Sequence, residues 1–542
     1  MKTKLNHLVL WPPLFMLFGM TALNFISEDA FAAIMNGSFS WVAENMAWFF
    51  QLTCFSCVII LLLAALQKCG NIRLGGPEAK PDFGTWTWFS MILCGGIGVG
   101  IVLWGAAEPI FNLAEPPLAA GVEAFSEGAA VWSLSQSFLH WGLTPYALYG
   151  VFALAIGLAH YNYGQPLRAS SGFHFIWGDR RPESFNSLVD MFAVISLSCG
   201  LAVSMGLGVL QIARGLETVF GLNPSRMIWT LIVLFITASY TLSSYVGLDK
   251  SLKFIARYNT NIFIGLLIFL LIVGPTAFNL NLGVESLGLY LSDFIRKSLW
   301  TSPIAKDSYL IWFDLNYWAN WCAYAPIMGF FLVRISYGRT VRQFISANLV
   351  APAAFGMIWF TIFGGTAIKY QLDGVVDLWA AIGTKGLEAT VFTFFETLPL
   401  GGLLAPFFIL VVILSFVTLA DPMTSAIASL SCRNDDPAYD GEPPKGLKFF
   451  WGLGVGGIAL VMILFAGFNG PRMFSVIMGV PSMIMCFLLL ISLVKGVWFP
   501  GDQWLPSKVG LMQPSKETYI KHHMEMEVVS AAGTPGGSPH IE

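Results

Sequence analysis

The sequence predicts an all-α polytopic membrane protein with about 12 transmembrane helices, since about 20 apolar residues are needed to cross the hydrocarbon core. Mean hydropathy is +0.68, and only 11% of the 542 residues are charged, against roughly 25% in an ordinary soluble domain. The apolar runs are long and lack the two-residue alternation of a membrane β-barrel. Composition therefore favours a bundle of membrane helices.

The predicted spans follow one another along the whole chain. Between the seventh and eighth spans, "GVESLGLYLSDFIRKSLW" shows a helical period that predicts an amphipathic helix lying in the interface. The segment "VVDLWAAIGTKGLEATVFTFFETLP" is a second candidate of that kind. The predicted spans are 8–27, 42–66, 86–112, 128–160, 188–219, 227–246, 258–280, 311–335, 345–368, 400–430, 447–468 and 474–496.

Charge placement predicts the orientation. The first stretch follows Lys2 and Lys4 and resembles a signal peptide, but an uncleaved first helix fits the charge pattern better. Four loops on one side are basic, whereas the opposite loops are acidic or neutral, so we expect both termini to be cytoplasmic at a bacterial inner membrane. The basic loops contain Lys68, Arg73 and Lys80; Arg168, Arg180 and Arg181; Lys250, Lys253 and Arg257; and Arg334, Arg339 and Arg342.

The third span contains "GGIGVG", with Gly96, Gly98 and Gly100. A dinucleotide fingerprint is excluded, because no strand precedes these glycines. Two interpretations stay open: close helix packing through small residues, and an unwound segment that faces a ligand. Interrupted spans are the best sequence pointer to a transporter binding site.

Aromatic residues concentrate in three spans. In "YWANWCAYAP", the residues Tyr317, Trp321 and Tyr324 share one helical face by their spacing of four and then three. Such rings commonly pack in the core or mark the membrane interface. Beside proline and glycine they also suggest a cage for an onium cation, to which each ring contributes roughly 0.5–2 kcal/mol. The other rings of this candidate cage are Trp104, Trp141, Tyr146, Tyr149 and Trp318.

Three segments resemble the betaine/carnitine/choline transporter family. "YWANWCAYAPIMGFFLVRISYGRTVRQFI" is similar to its signature segment, "GGIGVGIVLWGAAEP" to its glycine-rich third span, and "FLHWGLTPYALYG" to its fourth. The resemblance implies a leucine-transporter-type fold, in which two inverted five-helix repeats follow two extra helices. The implied divisions are 1–85 for the extra helices and their loop, 86–282 for the first repeat, 283–310 for the interfacial helix, 311–497 for the second repeat, and 498–542 for a disordered cytoplasmic tail.

The resemblance also implies roles for single residues. Trp104, Trp141, Tyr146 and Trp321 match positions at or beside the central onium site, and Trp318 and Tyr324 match the substrate pathway. Asn320 stands where the family usually has tryptophan. We hypothesise that its amide, which has one acceptor and two donors, bonds a polar group of the substrate or selects a differently shaped onium. The alternative is that it satisfies a helix carbonyl.

The coupling ion is left open between none, proton and sodium. Sodium-coupled family members have a Thr-Ser pair where this chain has Thr418 and Leu419, so one oxygen ligand is missing. Met328 matches a methionine of sodium-independent exchangers, although those members have an arginine where this chain has Asn259. Asp421, as a carboxylate within a span, is either a proton relay or a structural partner of the backbone.

The resemblance implies a secondary transporter of carnitine-, betaine- or choline-like solutes, by exchange or with a coupling ion other than sodium. A sodium-coupled symporter of glycine betaine or a dimethylsulfonium solute is the alternative, and a membrane solute sensor is another, of a different class. A membrane enzyme is not expected, because no cluster of His, Asp or Glu ligands and no activated nucleophile is evident. We also expect no cofactor, metal or nucleic-acid partner. The expected partners are an onium solute and the bilayer, and the family resemblance suggests a homotrimer.

Overall fold

The computed structural model describes residues 5–96, 100–246, 249–432 and 443–499. Gly98 and the predicted tail from residue 500 onward lie outside this description. The side chains of Asn259, Thr418 and Asp421 also lie outside it, although their backbone is helical.

Within the described ranges the protein is made of α-helices, with two isolated bridges and no strand. The helices are α1 (His7–Ile26), α2 (Glu28–Leu66), α3 (Thr85–Gly96), α4 (Gly100–Ala114), α5 (Glu127–Trp141), α6 (Leu143–Tyr163), α7 (His174–Trp177), α8 (Glu183–Phe220), α9 (Arg226–Val246), α10 (Asp249–Val273), α11 (Thr276–Ser298), α12 (Asn316–Ile335), α13 (Val341–Ile345), α14 (Ala351–Leu372), α15 (Leu378–Lys385), α16 (Thr390–Glu396), α17 (Gly401–Leu430), α18 (Lys445–Ala466) and α19 (Asn469–Trp498).

The all-α polytopic membrane class is confirmed. Seven helical segments of the described chain are long and apolar enough to cross a membrane, or eight if one bent pair is a single span. Every predicted span has a helical counterpart. Two of these counterparts, Arg226–Leu242 and Gly401–Val417, are apolar but shorter. Large apolar side chains remain exposed on the outside of the bundle, such as Phe15 at 69% and Leu234 at 59%, as a surface facing lipid requires.

The predicted third span comprises α3 and α4, and residues 97–99 between these helices lie outside the described residues. The predicted fourth span is broken at Gly142, whose ψ of −127° is not helical. Pro145 contributes to this break because it has no N–H to donate to the carbonyl of Trp141 four residues earlier. At the same point Gly356 of α14 approaches so closely that a Cβ there would lie 2.7 Å from the Trp141 carbonyl oxygen.

The predicted seventh span, 258–280, is wrong at its end. The chain breaks after Val273, and Asn261–Val273 and Thr276–Ser298 meet at an angle of 111°. Gly274 and Pro275 occupy the corner, where proline disfavours continuation of the preceding helix. The predicted amphipathic segment therefore begins earlier, as α11, and it ends at Ser298 rather than continuing to 310. The second amphipathic candidate forms two short helices, α15 and α16.

Helix α12 lies at the centre of the bundle, and small residues let its neighbours approach it closely. A Cβ on Gly329 of α12 would lie 3.0 Å from the Phe152 Cβ of α6. A Cβ on Gly479 of α19 would lie 2.4 Å from the Ala319 Cβ, and one on Gly200 of α8 would lie 3.2 Å from the Ala323 Cβ. Such contacts are typical of membrane helix interfaces. They hold the aromatic side chains of α12 at fixed positions between three helices.

Candidate solute site and the charged cluster behind it

Four aromatic rings meet where α12 crosses the break between α5 and α6. The Trp321 ring centroid lies 5.4 Å from that of Trp141, 5.7 Å from that of Tyr146 and 5.6 Å from that of Tyr149, each in an edge-to-face arrangement. We call these four residues the aromatic cage. The structure thus brings together four of the residues that the sequence selects.

The cage continues into a second group of rings on α4 and α12. Tyr317 lies 5.7 Å from Trp141 and 5.5 Å from Trp104, centroid to centroid. A Cβ on Gly100 would lie 3.5 Å from the Trp141 ring and 3.8 Å from the Trp104 ring. Gly100, at the start of α4, thus lies beside both rings, and a Cβ there would make ordinary van der Waals contact with them.

The rings of the cage contact one another in this conformation. A bound onium lies within about 6 Å of a ring centroid and over its face. Opposed rings that share such a cation therefore need a wider separation than the observed 5.4–5.7 Å. A solute enters the cage only when a ring rotates or when α12 moves relative to α6, which is the kind of motion that alternating access supplies.

Two predicted site residues point elsewhere. The Trp318 indole N–H donates to Gln51 Oε1 of α2 at 2.8 Å, and its ring contacts His140 edge to face, so Trp318 lies behind the cage. The Tyr324 hydroxyl donates to the Gly200 carbonyl at 2.8 Å and also contacts the Ser204 hydroxyl. Tyr324 therefore connects α12 to α8.

Asn320 is partly exposed, and its Oδ1 is buried with no hydrogen-bond partner among the described atoms. Accessible positions recur along one face of α12 at Asn320, Ile327, Phe331 and Arg334, whereas the preceding residues from 315 to 319 are buried. Met328 borders this face at 9% exposure. The accessible face thus runs from beside the cage toward the basic end of the helix.

A charged cluster lies directly behind the cage, completely buried. His140 Nδ1 is 2.6 Å from Glu108 Oε1, and His140 Nε2 is 2.8 Å from Asp314 Oδ1. Glu108 Oε2 accepts hydrogen bonds from the Trp141 indole at 2.9 Å and from the Tyr317 hydroxyl at 2.5 Å. All three charged side chains have 0% exposure. One carboxylate oxygen therefore holds two aromatic residues that face the solute site.

Amides and an arginine complete the cluster. Gln51 donates to Asp314 Oδ2 at 2.9 Å, and Gln136 donates to Asp314 Oδ1 at 3.2 Å. Arg472 of α19 is 6% exposed, donates to the Trp312 carbonyl and interacts electrostatically with Glu108. Its guanidinium carbon lies 6.0 Å from the Trp104 ring centroid. A buried arginine thus accompanies two buried carboxylates.

The expected absence of clustered His, Asp and Glu is wrong, because the fold brings Glu108, His140 and Asp314 together. The two carboxylates contact different nitrogens of the imidazole, and no group in the described chain has the arrangement of a metal site. The sequence signal that could have found the cluster is the presence of ionisable residues within predicted spans, where charge is costly. His140 itself is completely buried and contacts a carboxylate through each ring nitrogen.

The fold and the site together define a helical membrane transporter with a central aromatic site. A profile described as "BCCT, betaine/carnitine/choline family transporter" matches residues 8–499. The chain belongs to this family, whose members are transporters and not enzymes.

Several characterised or named relatives are similar over most of their length. A "Probable glycine betaine transporter" of Desulfitobacterium hafniense is 30% identical, over 89% of this chain and 95% of the relative. An "Ectoine/hydroxyectoine transporter" of Virgibacillus pantothenticus is 30% identical, over 91% and 97%. The "Betaine/ectoine transporter LcoP" of Corynebacterium glutamicum is 31% identical, over 88% and 77%.

Proposed function

We propose that this chain is a secondary transporter of methylated onium solutes of the carnitine, betaine and choline class, working by alternating access. The observation that carries the proposal is the cage of Trp141, Tyr146, Tyr149 and Trp321, which converges from the three helices α5, α6 and α12. Ring faces attract a methylated cation that cannot donate hydrogen bonds. The relatives named for betaine and ectoine support a compatible-solute substrate.

Asn320 adds selectivity in this proposal. Its Oδ1 is a hydrogen-bond acceptor with no partner among the described atoms. An acceptor left unpaired in a buried site favours a ligand that brings a donor. The hydroxyl of choline or carnitine and the N–H of ectoine supply one, whereas glycine betaine does not. We therefore expect Asn320 to favour solutes that carry a hydroxyl or N–H near the cage.

For coupling, we propose exchange, or a coupling ion other than sodium. Leu419 replaces a hydroxyl ligand of the sodium-coupled pattern, and Met328 matches the sodium-independent pattern. Thr418, Asn259 and Asp421 remain candidate coupling residues on sequence grounds. Gly96, Gly98 and Gly100 are proposed to line the solute path, supported by the position of Gly100 beside Trp141 of the cage and beside Trp104.

The proposed setting is the bacterial inner membrane, with both termini cytoplasmic by the distribution of basic loops. The proposed architecture is two inverted five-helix repeats after two additional helices. It is supported by the family resemblance and by the equivalent places of the third and eighth predicted spans in the helix order. A homotrimer is proposed from the family resemblance.

Transport by the purified protein in proteoliposomes tests the function. Labelled choline, carnitine, glycine betaine and ectoine are supplied outside, with and without a sodium gradient and with and without unlabelled solute inside. We expect uptake that needs no sodium, and exchange predicts that it also needs internal solute. Sodium-driven uptake into empty vesicles would overturn the coupling proposal. Failure to transport any of the four solutes would overturn the function.

Selectivity is tested separately with Asn320→Trp, which restores the residue common in the family, and with Asn320→Asp as a variant that keeps an acceptor. We expect the tryptophan variant to lose its preference for hydroxylated solutes over glycine betaine, and the aspartate variant to keep it. An unchanged solute ranking in Asn320→Trp would exclude a role for Asn320 in selection.

A further inference from the structure

The charged cluster has a use that solute binding alone does not explain. We propose that His140 is a proton-binding site, and that its proton and the onium head group compete, so that solute binding releases the proton. This inference rests on the proposed onium substrate. It assigns a new role to Glu108, His140 and Asp314, which lie behind the cage rather than within it.

Carboxylate oxygens face both nitrogens of the His140 imidazole. Its two nitrogens lie 2.6 Å and 2.8 Å from oxygens of two different carboxylates. The imidazolium form donates to both of them, whereas the neutral form has one N–H and leaves a lone pair facing a carboxylate oxygen. The site is therefore built to receive a second proton, and it distinguishes the two protonation states of His140.

The charges around His140 also favour a bound proton. With a protonated His140, two carboxylates face two cations, His140 and Arg472. With a neutral His140, one negative charge is left uncompensated in a region of 0% exposure, which is costly. Lys297 belongs to α11 and donates to Ser135 Oγ of α5, five residues before His140, at 2.6 Å. The titratable and charged groups that face the site from neighbouring elements are Glu108, Asp314, Tyr317, Tyr309, Cys54, Arg472 and Lys297.

The charged cluster is connected directly to the aromatic cage. Glu108 contacts His140 through one oxygen and, through the other, Trp141 and Tyr317. The Tyr317 ring also stacks on the imidazole, with centroids 4.5 Å apart and planes at 21°. An onium bound over Trp141 therefore lies one ring away from the cluster. At that separation a buried cation is poorly screened from the charge of His140.

The sign of the linkage follows from these charges. A neutral His140 leaves a net negative cluster, which attracts an onium cation, whereas a protonated His140 removes that attraction. Choline affinity should therefore rise with pH through the titration of His140, and choline binding should expel a proton. Glycine betaine, whose carboxylate cancels part of the charge, should show a smaller effect.

The test measures proton release when choline binds to the full-length protein in nanodiscs. The solution is weakly buffered and contains a pH-indicating dye. The measurement runs from about pH 5 to about pH 9, the range in which a histidine titrates. The wild type should release up to about one proton per bound choline. His140→Gln should bind choline without releasing a proton. Asp314→Asn removes one anion beside the imidazole, so its release maximum should move to lower pH by about one unit.

Three results would overturn the inference: choline binding by the wild type without proton release, equal release by His140→Gln, or an unshifted maximum in Asp314→Asn. A structural role of the cluster predicts the first of these. If the wild type binds no onium, the proposed function fails, and an acid–base difference titration then decides the proton site. Wild type and His140→Gln should still differ by about one proton, and identical titrations would refute the site.

Discussion

The two sides of the Trp141–Tyr317 contact differ in chemistry although they are one ring apart. On the side of Trp321, the rings meet edge to face. Among the described neighbours of the cage, Asn320 has the only side-chain amide oxygen without a hydrogen-bond partner. On the side of His140, buried carboxylates are paired with nitrogens at 2.6–2.8 Å. The side of Trp321, the ring side, can therefore open for a solute. The side of His140, the charged side, must keep its hydrogen-bond partners.

The largest expected effect is on the charged side. His140→Leu leaves Glu108 and Asp314 buried without the cation between them, and breaking a buried pair in this way costs about 3–5 kcal/mol. We expect a much lower melting temperature in detergent and a reduced yield of folded protein. Leu139→Met, at a neighbouring position with 0% exposure, is the control, since volume-conserving changes cost below about 1.5 kcal/mol. Equal melting of the two variants would contradict the account.

The second-largest effect is expected in the aromatic cage, on solute affinity rather than on stability. Trp321→Ala removes the ring that contacts the other three members of the cage. Loss of its cation–π attraction and packing, about 1.4–2.8 kcal/mol, corresponds to roughly tenfold to hundredfold weaker solute binding. Solute affinity is measured by titration calorimetry. Trp318→Phe, behind the cage, is the matched control and should change solute affinity far less. A larger loss of solute affinity in Trp318→Phe than in Trp321→Ala would place the solute on the Trp318 side of α12 and contradict the account.

A smaller effect is expected where α12 contacts α8. Tyr324→Phe removes the hydroxyl that bonds Gly200 and Ser204, a loss of about 1 kcal/mol. Because this bond ties two helices together, we expect a few-fold change in uptake rate at unchanged solute affinity. The double variant with Ser204→Ala should be less than additive, since both single changes remove one shared contact. If the effects of the two single changes on the uptake rate were fully additive, the Tyr324–Ser204 contact would not determine that rate.

The smallest effect is expected at the surface. Arg296 is paired with Asp293 at 2.5 Å, but its side chain is 62% exposed. Exposed pairs contribute about 0.2–1 kcal/mol at most. Arg296→Ala should therefore leave the melting temperature and the solute affinity almost unchanged. A loss comparable with that of His140→Leu would show that charge burial does not govern the difference between the two regions.

The helical membrane class could be predicted from composition, because hydropathy alone requires it. The cage residues were also predictable, since Trp141 stands beside the break at Gly142 and Trp321 lies in a recognisable signature segment. The end of the seventh span was missed, because apolar composition continues past Gly274 and Pro275 and conceals the 111° corner.

The charged cluster could not be predicted as a unit. Glu108, His140 and Asp314 lie on three separate segments, and their contact depends on how α4, α5 and the π-helical segment Leu310–Leu315 before α12 pack. Gln51 and Arg472 come from still more distant parts of the chain. Trp318 shows the same limit within one helix, because spacing placed it beside the cage, and the bundle directs its N–H to Gln51 instead.

The central claim is that aromatic rings recognise the positive charge of the solute. Competition of choline and of its uncharged carbon isostere, 3,3-dimethyl-1-butanol, for binding to the wild type tests this most directly. Shape and apolar area are nearly equal in the two molecules, so the difference reports the attraction between cation and rings. We predict that choline competes at least about tenfold better, as roughly 1.4 kcal/mol of cation–π attraction requires. Equal competition would contradict the account.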